Sequence, residues 1–267
     1  MAINLSVVEV QVREERLGSS SLYHGCAADI GSETGGCGQG QGRRCFSQNS
    51  GCMNGCAQGY LSQIDDAVIV THAPIGCSAD NVGSYHARRW GNFMQGRPQS
   101  DTMALSTDMN ESDTIFGGLD KLRDTVCYAV GKYNPKAVFI TSSCVSAIIG
   151  EDIVSLAAEL SQELGIAVVP VSCEGFKTKI WASGFDAAFH AILTGIVKPP
   201  KRKTNIVNVI QFFGSSLPYV SEALAVFGMK PRLVAGFNSI AELERLSEAA
   251  ATVSICGTLG SYLGNGL

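Results

Sequence analysis

Gly51-Cys-Met-Asn-Gly-Cys-Ala-Gln-Gly59 leads through a short spacer into Ala67-Val-Ile-Val-Thr71, and His72-Ala-Pro-Ile-Gly-Cys77 follows at once. The middle run is apolar and β-branched, the composition of a buried strand. A small-residue loop before it carries Cys52 and Cys56, and the tight turn Ala73-Pro-Ile-Gly76 after it presents Cys77. Thiolates offered from glycine-flanked loops at the end of a buried strand suit a soft metal such as iron in a cluster. Small cysteines also pack in cores as hydrophobes, so taken singly these residues leave both readings open.

Outward from this stretch, strands and helices alternate. Further strands read at Ala137–Thr141, Ile166–Val171, Ile206–Ile210, Arg232–Val234 and Thr252–Ile255. Between them Ile153–Leu164 and Ser239–Leu246 recur at the spacing of an amphipathic helix. Such alternation predicts an α/β protein built of βαβ units, with Rossmann-like, doubly wound parallel sheets covered on both faces. Lys198-Pro-Pro-Lys-Arg-Lys-Thr204 interrupts the pattern with two prolines and four charges and reads as a linker. The expected division is an irregular N-terminal arm over residues 1–50, a first α/β domain over 51–200 and a second over 205–267.

The second domain is expected to hold three strands and two helices and to end on Gly264-Asn-Gly-Leu267 without a closing helix. That is little to cover a doubly wound sheet, so either a partner completes it or the sequence is part of a longer chain, and the second is favoured. In the arm, Val7-Val-Glu-Val-Gln-Val12 alternates like a short strand. Cys26, Cys37 and Cys45 follow at spacings of 11 and 8 residues, which match no CxxC zinc pair. An extended arm lying over the core or a partner accounts for them better than a separate metal site.

Composition narrows the function. The 267 residues are 45% apolar and only 16% charged, with 30 glycines, so part of the surface is expected to be covered by a partner. A net charge of −4 and no basic stripe give no reason to expect nucleic acid. No apolar run reaches membrane-span length and no signal peptide is visible, which predicts a cytoplasmic protein. Ten cysteines there point to metal or redox chemistry more than to disulfides. Cys144, Cys173 and Cys256 lie within three residues of the carboxyl ends of predicted strands, and Cys77 lies just after one. Open α/β sheets build ligand sites at those ends. Cys127 instead sits within a helical pattern.

At these residues the sequence resembles the α-type subunit of nitrogenase component 1 and its nitrogenase-like relatives. The resemblance rests on Cys52 … Thr71-His-Ala-Pro-Ile-Gly-Cys77, Asp113-Thr-Ile-Phe-Gly-Gly118, Ser143-Cys-Val-Ser-Ala-Ile-Ile-Gly-Glu-Asp-Ile153, Val169-Pro-Val-Ser-Cys-Glu-Gly-Phe176 and Ser239-Ile-Ala-Glu-Leu-Glu244 … Cys256. It implies that Cys52, Cys77 and Cys144 hold this chain's half of an 8Fe-7S P-cluster shared with a β-type subunit, with Cys56 the competitor for the first position. It further implies that Cys256 binds a nitrogenase-type iron–sulfur cofactor, whose second ligand lies beyond this sequence. An ATP-dependent iron protein would be the electron donor and an α2β2 heterotetramer the assembly. Arg88, of the Arg88-Arg89 pair, resembles a cofactor-pocket arginine, although the loop before it is longer here and a surface role serves as well.

One departure bears on substrate. Where dinitrogen-reducing relatives place a glutamine and, four residues later, a histidine, the segment Lys177-Thr-Lys-Ile-Trp-Ala-Ser-Gly-Phe185 puts Trp181 and Phe185. Histidine can donate a proton or hydrogen bond to a reduced nitrogen species, whereas these aromatics offer apolar bulk. Unless the helix register shifts, Lys177, Trp181 and Phe185 face a cofactor pocket that favours an apolar substrate. Together with the Cys-rich arm, this looks most like methylthio-alkane reductase, which cleaves small thioethers and releases methanethiol. The alternatives are a cofactor-assembly scaffold of the same fold, a dinitrogen reductase with an altered pocket, and a plain Rossmann-like binding protein. The last lacks a GxGxxG at a strand–helix turn. His72 is read as packing the loop before Cys77; His24, His86 and His190 carry no signal.

Overall fold

The computed structural model describes residues 3–16, 52–79, 89–90, 92–93, 96, 104–178, 180–210, 216–234, 238–254 and 257–267. The β-branched runs form two parallel sheets. The first contains β1 (Ala67–His72), β2 (Ala104–Ser106), β3 (Ala137–Ser142) and β4 (Ala167–Val171) in the order β2-β1-β3-β4. The second contains β5 (Ile206–Ile210), β6 (Lys230–Val234) and β7 (Ala251–Ser254) in the order β6-β5-β7. Every pairing is parallel, and His72 aligns with Ser142 at the carboxyl ends of β1 and β3.

The helices are α1 (Arg13–Arg16), α2 (Met53–Leu61), α3 (Ile75–Ser78), α4 (Glu111–Phe116), α5 (Leu119–Tyr133), α6 (Cys144–Ile148), α7 (Ile153–Leu164), α8 (Ser183–Gly195), α9 (Leu217–Ala225), α10 (Ile240–Glu244) and α11 (Gly257–Gly266). Successive side chains of a strand point to opposite faces, and both faces of the first sheet are covered. Val68, Val70, Val138, Ile140 and Val168 pack with Leu122, Val126 and Ala129 of α5 and with Leu156 and Leu160 of α7. Ile69, Phe139 and Val169 face the other way, into a core shared with Met53 and Leu61 of α2, Phe189 and Ile192 of α8, and Leu263 of α11. That core also takes in Ile210, Val234 and Leu243, so it runs from one sheet to the other. The doubly wound parallel architecture expected from the alternation is therefore present.

Local signals account for several boundaries. The Asp152 side chain accepts the Ser155 N–H at the start of α7, and Gly165, at φ +68°, ends that helix in the left-handed region. Asn134 does the same for α5 at φ +47°.

Four expectations need correction. Val7–Val12 is not a strand: the Val7 carbonyl accepts from His190 Nε2 and the Val12 carbonyl accepts from the N–H groups of Glu15 and Arg16, so no ladder forms. A further strand, β2, is only three residues long and was not foreseen. The pattern over Ser239–Leu246 divides into α10 and a 3-10 turn at Leu246–Glu248. Finally, a closing helix exists. In α11 a Cβ on Gly260 would lie 2.2 Å from Ser254 Oγ and one on Gly266 would lie 2.3 Å from Leu193 Cδ1. Gly260 and Gly266 are what let it approach β7 and α8, and of these only Gly266 belongs to the ending that argued against a helix.

Candidate metal centre

Cys52 stands immediately before α2 in an extended conformation (φ −102°, ψ 172°), and its thiol makes no capping hydrogen bond. Cys144 opens α6 directly after β3, with Ser143 and Ser146 bonding each other reciprocally to fix that turn. Both thiols meet over Gly175, in the 3-10 turn Gly175–Lys177 that follows β4. A Cβ at Gly175 would lie 3.0 Å from Cys52 Cβ, 3.5 Å from Cys52 Sγ and 3.7 Å from Cys144 Sγ. Any other side chain there would press on Cys52 Cβ and lie in contact with the two sulfurs. Cys77 lies in α3, just past β1, and is exposed. Since β1 and β3 are parallel neighbours, all three thiols belong to one end of the sheet.

Two buried amides on α2 join these segments. Gln58 Nε2 donates to the Cys77 carbonyl at 3.1 Å and also to Asn54 Oδ1. Asn54 Nδ2 donates to the Ser142 carbonyl at 2.6 Å and to Cys173 Sγ at 3.5 Å. Ser142 Oγ in turn donates to Glu174 Oε1 at 2.7 Å, one residue before Gly175. Neither amide was singled out from the sequence. Their signal was two polar residues four apart on an otherwise buried helix.

Two other described cysteines, Cys56 and Cys173, are of another kind. Burial pushes the Cys56 thiol up to about 12, and burial with the neighbouring Glu174 carboxylate pushes Cys173 well above its ordinary value. Neither ionises near neutrality by itself, and Cys56 is buried where its competitor Cys52 is half-buried. In metal-free protein, thiol alkylation followed by peptide mapping is expected to modify Cys77 early and Cys56 and Cys173 only on unfolding. Early modification of Cys56 would mean that α2 does not stay packed.

His72 is buried, with Nδ1 3.0 Å from Thr107 Oγ1 and Nε2 hydrogen-bonded to Glu151, which also accepts the Gly118 N–H. Burial lowers its pKa, against the pull of Glu151. It ties together the loops that follow β1, β2 and α6, a packing role as expected.

Trp181 and Phe185 come together on one side of the start of α8, with ring centroids 5.7 Å apart. Phe185 also meets the Tyr60 ring of α2 edge-on at 6.1 Å. The Lys177 ammonium is held by Glu9 at 2.8 Å and Glu174 at 3.0 Å. These three residues help line a cleft of about 330 Å³ whose lining includes none of the cysteines. Arg88 and Cys256, like Cys26, Cys37 and Cys45, lie outside the described residues.

The N-terminal segment is fastened beside this site. Arg13 and Arg16 both engage Asp186 of α8, at 2.9 Å and 2.8 Å, and the Asp186 side chain is fully buried. Arg16 also donates to Ser261 Oγ of α11 at 3.1 Å and lies over the Tyr262 ring. His190 bridges Tyr262 OH (2.8 Å) and the Val7 carbonyl (2.6 Å).

The sequence profile described as nitrogenase component 1 type oxidoreductase matches residues 52–267. This chain belongs to that family. It is 36% identical over 149 residues to the nitrogenase molybdenum-iron protein alpha chain of Clostridium pasteurianum, covering 54% of this chain and 27% of that one. It is 27% identical over 218 residues to the nitrogenase iron-molybdenum cofactor biosynthesis protein NifE of Methanococcus maripaludis, covering 79% and 44%. The solved structure described as "Nitrogenase Cp1 at pH 6.5" superposes with a TM-score of 0.68 at 28% identity, over 81% of this chain and 43% of that one. The chain thus spans less than half the length of these relatives. Among the described residues no helix is long and apolar enough to cross a membrane.

Proposed function

We propose that Cys52, Cys77 and Cys144 are the thiolate ligands of a half-site for an eight-iron P-cluster, in a catalytic α-type subunit of a nitrogenase-like reductase. The observation that carries this is the meeting of Cys52 and Cys144 over Gly175, with Cys77 at the same end of the sheet. The donor set fits: sulfur ligands at loop and helix starts, next to a glycine that leaves room for a large inorganic core. Ile75 and Ile148, on the short helices that carry Cys77 and Cys144, and Phe176, next to Gly175, are exposed. An open, apolar-edged half-set suits completion by a β-type subunit. Bound there, the cluster would supply single-electron transfer, with electrons from an ATP-dependent iron protein.

Cys256, with Arg88, Lys177, Trp181 and Phe185, is proposed to serve a second, nitrogenase-type iron–sulfur cofactor. Trp181 and Phe185 present paired aromatic rings rather than an acid or base, and the Lys177 ammonium is held by Glu9 and Glu174. His190, on the same helix, is committed to Tyr262 and Val7. This favours a small apolar substrate, and reductive carbon–sulfur cleavage of methylthio-alkanes to methanethiol is the reading proposed. A cofactor-assembly scaffold is the second reading, favoured by similarity to NifE over 79% of this chain.

The test is an anaerobic assay of the complex with its iron protein and ATP, offered dimethyl sulfide and dinitrogen in parallel. Methanethiol without ammonia is the expected result. Ammonia would overturn the apolar-pocket reading, and intact clusters without turnover would favour the scaffold.

A further inference from the structure

The geometry points to Asn54 and Gln58 as positioning residues that hold the three cysteine-bearing segments in register for the cluster, an inference that rests on the proposed ligand set. Cys52 needs no bridge, because it is the residue from which α2 starts. Cys77 sits on a short, exposed helix outside the core, and one side-chain hydrogen bond reaches its own carbonyl from Gln58. Cys144 follows Ser142 by two residues, and the Ser142 carbonyl is where Asn54 ends. Asn54 and Gln58 are four residues apart, hence on one face of α2, and they bond to each other. A single continuous chain therefore runs from the Cys77 carbonyl through Gln58 and Asn54 to the Ser142 carbonyl.

Beyond Ser142 the chain continues to Cys173 and Glu174 and so reaches Gly175, over which the sulfurs meet. Both donor hydrogens of each amide are used, so each side chain is held in one orientation. Both side chains are almost fully excluded from solvent, at 3% and 0% exposure. In such surroundings each bond is strong and each orphaned partner is costly. Purely structural bonding would leave no reason for the chain to connect the three thiol segments and the glycine between them. Groups of this kind, one step removed from a metal, tune how firmly its ligands hold it.

The test compares Asn54→Leu and Gln58→Met, which keep side-chain size and remove the donors, in the complete complex. Iron loss to a chelator and the electron paramagnetic resonance of the cluster are measured beside the thermal midpoint. Iron release faster by roughly 10–100-fold, with an altered signal from protein that is still folded, is the expected result. A lower thermal midpoint with unchanged release and unchanged signal would overturn the inference and leave the residues merely structural. If one variant does not fold, the other decides, since each breaks a different link of the same chain. Cys52→Ala, Cys77→Ala and Cys144→Ala serve as references. Unchanged iron in those three would sink the ligand assignment itself, a result distinguishable from failure of the positioning role.

Discussion

Asp186→Ala is expected to remove about 3–5 kcal/mol of stability and to release the segment 3–16 from the body of the protein. The reason is charge, not volume. Two guanidinium groups share this one carboxylate, and all three side chains are at least nine-tenths buried. Removing the carboxylate leaves two positive charges in a poorly polarisable site where, among the described residues, Ser261 Oγ and the Tyr262 ring remain to answer Arg16. The protein can escape by lifting the arm so that the arginines reach water, which also strips the Val7 carbonyl from His190. Urea unfolding would read the stability loss, and limited proteolysis would read arm release. A variant within about 1 kcal/mol of the parent and equally resistant to protease would show that the arm contributes little. Replacing Asp186, Arg13 and Arg16 together by apolar residues of similar size is expected to be far milder, because no charge is left unanswered.

Gly184→Ala carries the second large effect, and here the cause is steric. A Cβ at this position would lie 2.3 Å from the Met53 carbonyl oxygen, 2.6 Å from Cys56 Cβ and 2.7 Å from the Ala57 nitrogen. The obstacles are largely the backbone of α2, so no side chain can rotate away. Forcing the methyl in must push α2 off α8, at a cost of about 1–3 kcal/mol or somewhat more. Because Cys52, Asn54 and Gln58 all ride on or beside α2, iron binding should fall along with stability. Gly131→Ala in α5 is the control, since nothing lies within 4 Å of a Cβ there. It should be neutral or slightly stabilising, alanine being the better helix former. Equal behaviour of the two variants would mean that α2 and α8 are not packed as closely as the structure has them.

Most of the sheet architecture was legible because buried parallel strands read as β-branched runs, as in Ala67–His72 and Ile206–Ile210. Ala104–Ser106 was not, being too short and too plain to differ from a loop. The helix over Gly257–Gly266 was hidden by its own glycines, whose value appears only when Ser254 and Leu193 are seen against them. The alternation at Val7–Val12 was a false signal, since nothing in a local pattern says whether a sheet edge is available. The cysteines could be picked out by their places at strand ends. That Cys52 and Cys144 share Gly175 depends on residues 123 positions apart and leaves no periodic trace. Arg13 and Asp186, 173 positions apart, were invisible for the same reason.

The double fastening of the N-terminal segment has a consequence for how the protein is made. Residues 3–16 leave the ribosome long before Asp186 and Ser261, to which Arg16 is joined across 170 and 245 positions. Until Asp186 has emerged, the arginines lack the carboxylate that both engage, and the segment stays solvated. Doubling such a loop adds only about 0.6 kcal/mol of closure entropy, so the delay costs little at equilibrium. It does fix an order of events during synthesis. The first sheet can fold as it emerges, and the early-made segment is latched afterwards, so a chain cut short before residue 261 would keep the arm on Asp186 and His190 but lose the Ser261 and Tyr262 contacts of Arg16.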